Sequence, residues 1–350
     1  MSNSIKIAEI ADALTFARTD DGRIVAVTAY VDGQISGVDL SHLKTRPEDD
    51  PIDLMVSLGR AALASAVMSG AESFQCLAEQ LVQPIDLASA HIAVGTNYKE
   101  HAQESAVTGS PFLFPKLVSP TGPWADIPAG KGLLDFEVEL CLVPMTRLAP
   151  DGPVIGGLIL GNDVTDRAVL MRGVDPRDPQ SGRGFTDGKS APGYLPVGDL
   201  FVAPEDLSAF LSGLTLQLSV NGVERQRAPV TEWIWDLEEI IRQARLKRNT
   251  VWAWREGEVR LAIADDGAIP ARTLIMAGTP AGTMFQGVPG KDRLQGLVRW
   301  ILSGFRGGPV PHVIDAYIVR STSEKTFLQP GDEVTITVDR LGRLANRVVN

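Results

Sequence analysis

The chain has 350 residues, with 33 Lys and Arg against 43 Asp and Glu for a formal net charge of -10, and 44% of its residues are hydrophobic. That length is enough for one large domain plus a smaller one with a sizeable core. Net acidity without a run of Lys or Arg argues against non-specific attraction to nucleic acid or an anionic membrane, so neither is expected as a partner; small anionic substrates respond to local charge and stay open.

The first residues lack the apolar run of a signal peptide, and no stretch of about 18 consecutive apolar residues occurs, so a cytoplasmic protein is expected. Cys76 and Cys141 are the only cysteines. They have no spacing that suggests zinc or a disulfide framework, and both are expected to be buried thiols.

Taken in chain order, residues 5–10 and 24–31 are short alternating runs separated by Asp20-Asp21-Gly22 and Asp32-Gly33, which are hairpin signals. Residues 51–81 read as helical, with Leu54, Leu58, Ala62 and Leu63 on one stripe, an interruption at Gly70, and Phe74, Leu77 and Leu81 continuing it. A small hairpin-plus-helix domain over residues 1–88 is therefore expected, followed by a larger domain over 89–350. Residues 92–95 read as a strand leading into a loop or short helix with His101 and Glu104 one turn apart, near enough for a carboxylate to orient an imidazole. Residues 98–110 are small and polar, a composition that predicts a lid mobile without ligand.

Residues 133–143 alternate as a strand does. Leu134, Phe136, Val138, Leu140 and Leu142 fall on one face, and Asp135, Glu137, Glu139 and Cys141 on the other. Same-face neighbours lie roughly 6.5 to 7 Å apart along a strand, so Glu137 and Glu139 can converge on one cation. The plainer alternative is a solvated face whose acids meet Lys or Arg. Residues 158–163 form an apolar strand that stops at Asp163, a position suited to a third oxygen ligand.

Beyond these, Gly188-Lys189-Ser190 precedes a Pro-x-Gly turn, and Asn221-Gly222 joins two strands as a two-residue hairpin with Gln226 on its second strand. Residues 233–244 carry a helical stripe. Gly278-Thr279-Pro280-Ala281-Gly282 is a tight turn whose amides and Thr279 hydroxyl can approach an anion. Leu294, Leu297, Val298, Ile301, Leu302 and Phe305 define a further helix stopped by Gly307-Gly308, read as packing or a dimer contact in preference to a substrate lid.

Together with Val94-Gly95-Thr96-Asn97-Tyr98-Lys99-Glu100-His101, these motifs resemble the fumarylacetoacetate hydrolase family in order and approximate spacing, from about Ile92 to the C-terminus. The resemblance implies an α+β, mostly β fold, a mixed β-sheet roll, and a homodimer. It implies metal ligation by Glu137, Glu139 and Asp163, a His101–Glu104 acid-base dyad, a catalytic Lys189, and substrate contacts from Arg167 and Thr279. Lys116, in the family's Phe-x-Lys strand, is read as structural or as a rim charge. An all-carboxylate site favours Mg²⁺, with Mn²⁺ or Ca²⁺ as alternatives. Ala168, Val169 and Leu170 depart from the family's polar pattern after the arginine, and residues 246–270 and 284–326 are longer than its usual connections.

The expected activity is metal-dependent hydrolysis of a C–C bond in a 3-acylpyruvate-like or diketo acid, a small anionic 2-oxo acid, through a metal-chelated enolate. A 2-oxo acid decarboxylase or double-bond isomerase would use the same site, and a non-catalytic metal-binding scaffold is the alternative of another class.

Overall fold

The computed structural model describes residues 4–350 apart from 105–109, 131, 176, 179–180 and 256. The N-terminal part contains strands β1 (Ala13–Thr19), β2 (Ile24–Val31) and β3 (Gln34–Asp39), helices α1 (Pro51–Leu58) and α2 (Arg60–Ser69), and strands β4 (Ser73–Leu77) and β5 (Leu81–Val82). The middle part holds β6 (His91–Gly95), α3 (Lys99–Glu104), β7 (Phe112–Lys116), β8 (Ile127–Pro128), β9 (Leu134–Asp135), β10 (Val138–Val143), β11 (Gly157–Asn162), β12 (Thr165–Asp166), α4 (Arg167–Gly173), α5 (Phe185–Lys189) and β13 (Phe201–Pro204). The remainder contains α6 (Leu207–Leu211), β14 (Thr215–Val220), β15 (Val223–Pro229), α7 (Leu237–Leu246), β16 (Trp252–Trp254), β17 (Gly257–Val259), β18 (Ile275–Met276), α8 (Gly290–Leu302), α9 (Pro309–Glu324), β19 (Glu333–Val338) and β20 (Gly342–Val349).

The large sheet runs in the order β4-β3-β2-β1-β13-β11-β10-β18-β6-β7, with β5 beside β1. It is mixed, since β18 and β6 are parallel while their neighbours are antiparallel. This sheet crosses the boundary expected near residue 88, because β1 pairs with β13 from Ala13↔Pro204 to Phe16↔Phe201. A second sheet, β15-β14-β19-β20-β8, packs against it, and β10 contacts β14. The mostly β, α+β architecture expected from the sequence is the one observed.

Several local expectations are corrected. Residues 5–10 contribute only a bridge from Ile5 to Tyr30, and the first strand lies at β1. Its residues are buried on both faces, so no alternation advertises it. The helical reading of 51–81 breaks twice: Gly59 (φ 78°) separates α1 from α2, and Gly70 (φ 60°) ends α2. Phe74 and Leu77 do not continue the helix but lie in β4, paired with β3. The helix read from Trp233 begins at Leu237, where the Asp236 carboxylate accepts from the Glu239 amide as an N-cap.

Residues 133–143 are not one strand with one solvated face. Every residue from Leu134 to Val143 is buried, and the ladder is interrupted at Phe136 and Glu137. Side chains satisfy the backbone there: Glu137 N donates to Asn162 Oδ1 (3.2 Å) and Val138 N to Gln226 Oε1 (3.0 Å). Glu137 lies in this gap and Glu139 on β10 just beyond it.

The stripe of Leu294, Leu297, Val298, Ile301, Leu302 and Phe305 is exposed, and α8 instead buries Asp292 and Gly296 against α9. A Cβ on Gly296 would lie 2.4 Å from Val313 Cα, so the two helices meet backbone to backbone. Arg320 Nε donates to both oxygens of the buried Asp292 (2.9 and 3.0 Å), fastening the pair. Helix α9 escapes a sequence reading because Pro309 and Pro311 look like breakers, although Pro is favoured in the first helical turn.

Candidate metal and acid-base site

Glu137 leaves the break between β9 and β10, Glu139 the first turn of β10, and Asp163 the end of β11. One carboxylate oxygen from each lies within 4.8 Å of the others, and all three residues are buried. The sequence therefore named a set that the fold brings together. Hydrogen bonding of β10 to β11 is the cause, because Val138 registers with Asn162 and carries Glu137 and Glu139 alongside Asp163.

Three cationic side chains hold this cluster. Lys189 Nζ, at the end of α5, donates to Glu137 Oε2, Asp163 Oδ2 and Thr165 Oγ1, each at 2.8 Å. Lys116 is not a rim charge: it is fully buried and donates to Asp163 Oδ1 (2.6 Å), the Lys189 carbonyl (2.5 Å) and the Tyr194 carbonyl (2.8 Å). Arg167 Nε donates to Asp135 Oδ2 (2.8 Å) and its terminal nitrogen to Glu137 Oε1 (2.6 Å). Asp135 also accepts from the Met284 and Phe285 amides, so it anchors the segment ahead of α8 as well as Arg167.

Charge within the network is uneven. Burial pushes the Glu137 carboxyl upward, but Lys189 and Arg167 more than reverse this and hold it below the ordinary carboxylate range. Glu139 goes the other way: burial and then the Asp163 and Glu137 charges raise it well above that range. Among the described residues its hydrogen-bond partner is the Gly278 amide (2.9 Å). Lys116, Lys189 and Arg167 pair with Asp135, Glu137 and Asp163, and Glu139 is left without a cationic partner among the described residues. A buried, partly uncompensated cluster of carboxylate oxygens without Cys or His fits a hard divalent cation, which would bind through Glu137, Glu139 and Asp163.

His101, the candidate base, lines the same cavity. His101 Nδ1 lies 3.3 Å from Glu104 Oε2, and the Gly282 amide donates to both Glu104 oxygens (3.1 Å each). A proton on Nδ1 shared with Glu104 leaves Nε2 as the basic nitrogen. The expected lid falls partly on residues 105–109, which lie outside the described residues.

Thr279 lies in the predicted tight turn, where Gly278 (φ 87°) and Gly282 (φ 105°) take left-handed conformations. Gln226 fixes this turn, its amide donating to Thr279 Oγ1 (2.9 Å) and the Pro280 carbonyl (2.7 Å). A cavity of about 570 Å³ joins these parts: its inner end is lined by His101, Glu137, Arg167, Lys189 and Thr279. Its outer end runs beneath α9, between Met171 and Val174 on one side and Val288, Val310, Val313 and Ile314 on the other.

Sequence reading missed the roles of Asp135, Lys116 and Thr165. Asp135 carried a signal, since it shares the alternation of Glu137 and Glu139. A lone lysine carries none, and the apolar Phe112–Pro115 run before Lys116 was the only hint of burial. The helix read over residues 294–305 as packing or a dimer contact in preference to a lid packs on α9, and residues before and after it in the long 284–326 connection supply cavity wall.

A match to the family model described as fumarylacetoacetate (FAA) hydrolase C-terminal covers residues 90–349. The chain belongs to the fumarylacetoacetate hydrolase family. It is 25% identical over 313 residues to an uncharacterized protein of Staphylococcus epidermidis, covering 86% of this chain and 83% of that one. Its fold is similar to that of maleylpyruvate hydrolase from Sphingobium sp. SYK-6, crystallised in complex with manganese(II) and pyruvate (TM-score 0.59, 20% identity, 96% of this chain and 99% of the other). It is similar also to 2-hydroxyhepta-2,4-diene-1,7-dioate isomerase from Mycobacterium marinum (TM-score 0.54, 20% identity, 97% and 98%). Among the described residues no single helix is long and apolar enough to cross a membrane.

Proposed function

We propose that this protein is a divalent-cation-dependent hydrolase that splits a C–C bond of a 3-acylpyruvate-like diketo acid into a carboxylic acid and pyruvate. The observation that carries the reading is that one cavity is lined both by His101, paired with Glu104, and by Glu137, Arg167 and Lys189 of the acid cluster. Family membership and the maleylpyruvate hydrolase with manganese and pyruvate favour this chemistry and a pyruvate-type headgroup.

Glu137, Glu139 and Asp163 would hold a divalent cation, which would supply Lewis acidity toward the substrate's 2-oxo acid headgroup. Arg167 and Thr279 orient that headgroup. His101 Nε2 takes a proton from water as the water oxygen adds to the acyl carbonyl, and Glu104 stabilises the imidazolium that results. Collapse of the adduct breaks the bond to C3, leaving the electron pair on the pyruvate unit as its enolate. Lys189 places positive charge beside the oxygen on which this charge develops. Proton return from His101 to C3 completes pyruvate.

The test is turnover of acetylpyruvate and oxaloacetate with and without Mg²⁺. Metal-dependent release of acetate and pyruvate from acetylpyruvate is expected. Metal-dependent loss of CO₂ from oxaloacetate alone would assign the site to decarboxylation, and a flat result with both would leave a metal-binding scaffold.

A further inference from the structure

The cavity is far larger than a pyruvate headgroup requires, and at about 570 Å³ it lies in the range that encloses drug-sized ligands. Polar and charged groups converge at the inner end, while the outer end is walled by Met171 and Val174 of the α4 end and by Val288, Val310, Val313 and Ile314 beneath the α8–α9 pair. These walls are built, not loose. Ala168 and Met171 pack with Ile314, Tyr317, Ile318 and Phe327 in a separate apolar cluster, and Asp292–Arg320 and Gly296–Val313 lock α8 onto α9.

Arg293 is the one cation among the described residues of the outer end. Its Nε donates to the Val288 carbonyl (2.9 Å) and the side chain is exposed at the rim. An ion pair made there gains little against water. Apolar surface covered by the walls gains in proportion to its area. Apart from Arg293, the described residues that line the outer end present hydrocarbon to a substrate tail reaching outward from the headgroup.

We propose that the substrate's acyl tail is an uncharged, bulky hydrocarbon group, an aromatic ring or branched aliphatic chain, lodged between α4 and α9. The substrate is then a singly charged acylpyruvate. This differs from maleylpyruvate, whose tail carries a second carboxylate. The inference rests on the acylpyruvate reading above, and inert analogues separate the two.

Oxamate shares the chelating 2-oxo acid head, so the full chain would be titrated calorimetrically in saturating Mg²⁺ with oxamate, N-phenyloxamate and N-(carboxymethyl)oxamate. N-phenyloxamate should bind on the order of 10- to 100-fold more tightly than oxamate, the gain expected from covering one ring. N-(carboxymethyl)oxamate should gain nothing. Val310→Asp, at an exposed wall position that spares the core, should narrow the N-phenyloxamate to oxamate ratio at least several-fold. Equal binding of the three ligands, or tightest binding of the carboxymethyl compound, would overturn the hydrocarbon tail while leaving the headgroup reading in place. Absence of any Mg²⁺-dependent oxamate binding would bring down both.

Discussion

Lys189 Nζ lies 2.8 Å from Glu137 Oε2, and the same ammonium lies 2.8 Å from Asp163 Oδ2. On the proposed reading it shares two carboxylates with the divalent cation. Sharing makes the lysine a competitor for the metal as well as a source of charge at the reacting oxygen. Lys189→Met is expected to tighten Mg²⁺ or Mn²⁺ binding, measured by calorimetry, while lowering kcat. A variant that loses metal affinity in step with activity would show that the ammonium chiefly holds the ligands in place.

Glu137 and Glu139 should separate in a paired experiment. Glu137 is bonded to two buried cations, and removing its charge takes one of two carboxylate partners from each of Lys189 and Arg167, at a cost of up to about 3–5 kcal/mol. Glu139 has no cationic partner among its described contacts and is raised by burial and by its acidic neighbours. Glu139→Gln should leave the melting temperature of the metal-free protein level or higher, and weaken metal binding by more than the ~100-fold that loss of a ligand's neighbour costs. Thermal melts of both variants, with and without EDTA, make the comparison.

For the dyad, His101→Ala should lower kcat by roughly 10² to 10⁴ with metal affinity nearly constant. Glu104→Gln keeps the shape of the contact and should cost less. Its loss of charge also weakens the anchor to the Gly282 amide, so KM should rise with the fall in kcat. Steady-state kinetics on acetylpyruvate separates the effects.

Asp199 offers a pH test remote from the cluster. It is buried, accepts from the Tyr30 hydroxyl (3.0 Å) and the Arg343 amide (2.7 Å), and burial raises its carboxyl to about 7. A carboxyl with a raised folded value binds its proton more tightly in the native state, so its contribution is full below 3.8, the ordinary value, and is lost as pH rises toward 7. The loss is at most about 4 kcal/mol, roughly three pH units at ~1.4 kcal/mol each. Urea unfolding of wild type and Asp199→Asn at pH 4, 5.5 and 7 should give a difference that shifts in favour of the variant as pH rises.

The α8–α9 pair depends on Gly296. A leucine there would meet the Val313 backbone, and overpacking of this kind costs about 1–3 kcal/mol. Gly296→Leu should lower the melting temperature and weaken binding of N-phenyloxamate more than that of oxamate. An unaltered N-phenyloxamate to oxamate ratio would mean that α9 holds its place over the cavity without α8.

The site was legible in the sequence to the extent that chemistry is local. Glu137 and Glu139 sit two residues apart, His101 and Glu104 one helical turn apart, and the Gly278–Gly282 turn announces itself by its glycines. The Asn221-Gly222 hairpin was equally plain, with both residues at positive φ (50° and 77°) as its turn type demands. Each of these depends on backbone geometry within a few residues, which residue type and spacing control. What only the tertiary structure decided is where charges without local partners go. Lys116 lies 47 residues from Asp163, Arg167 lies 32 from Asp135, and β1 finds β13 more than half the chain away. The same holds for the face α8 buries, since its apolar stripe pointed outward and a glycine and an aspartate chose the contact with α9. Such pairings are fixed by desolvation and sterics: a buried lysine must find a carboxylate, and two helix backbones can come as close as those of α8 and α9 only where one of them has no side chain in the way.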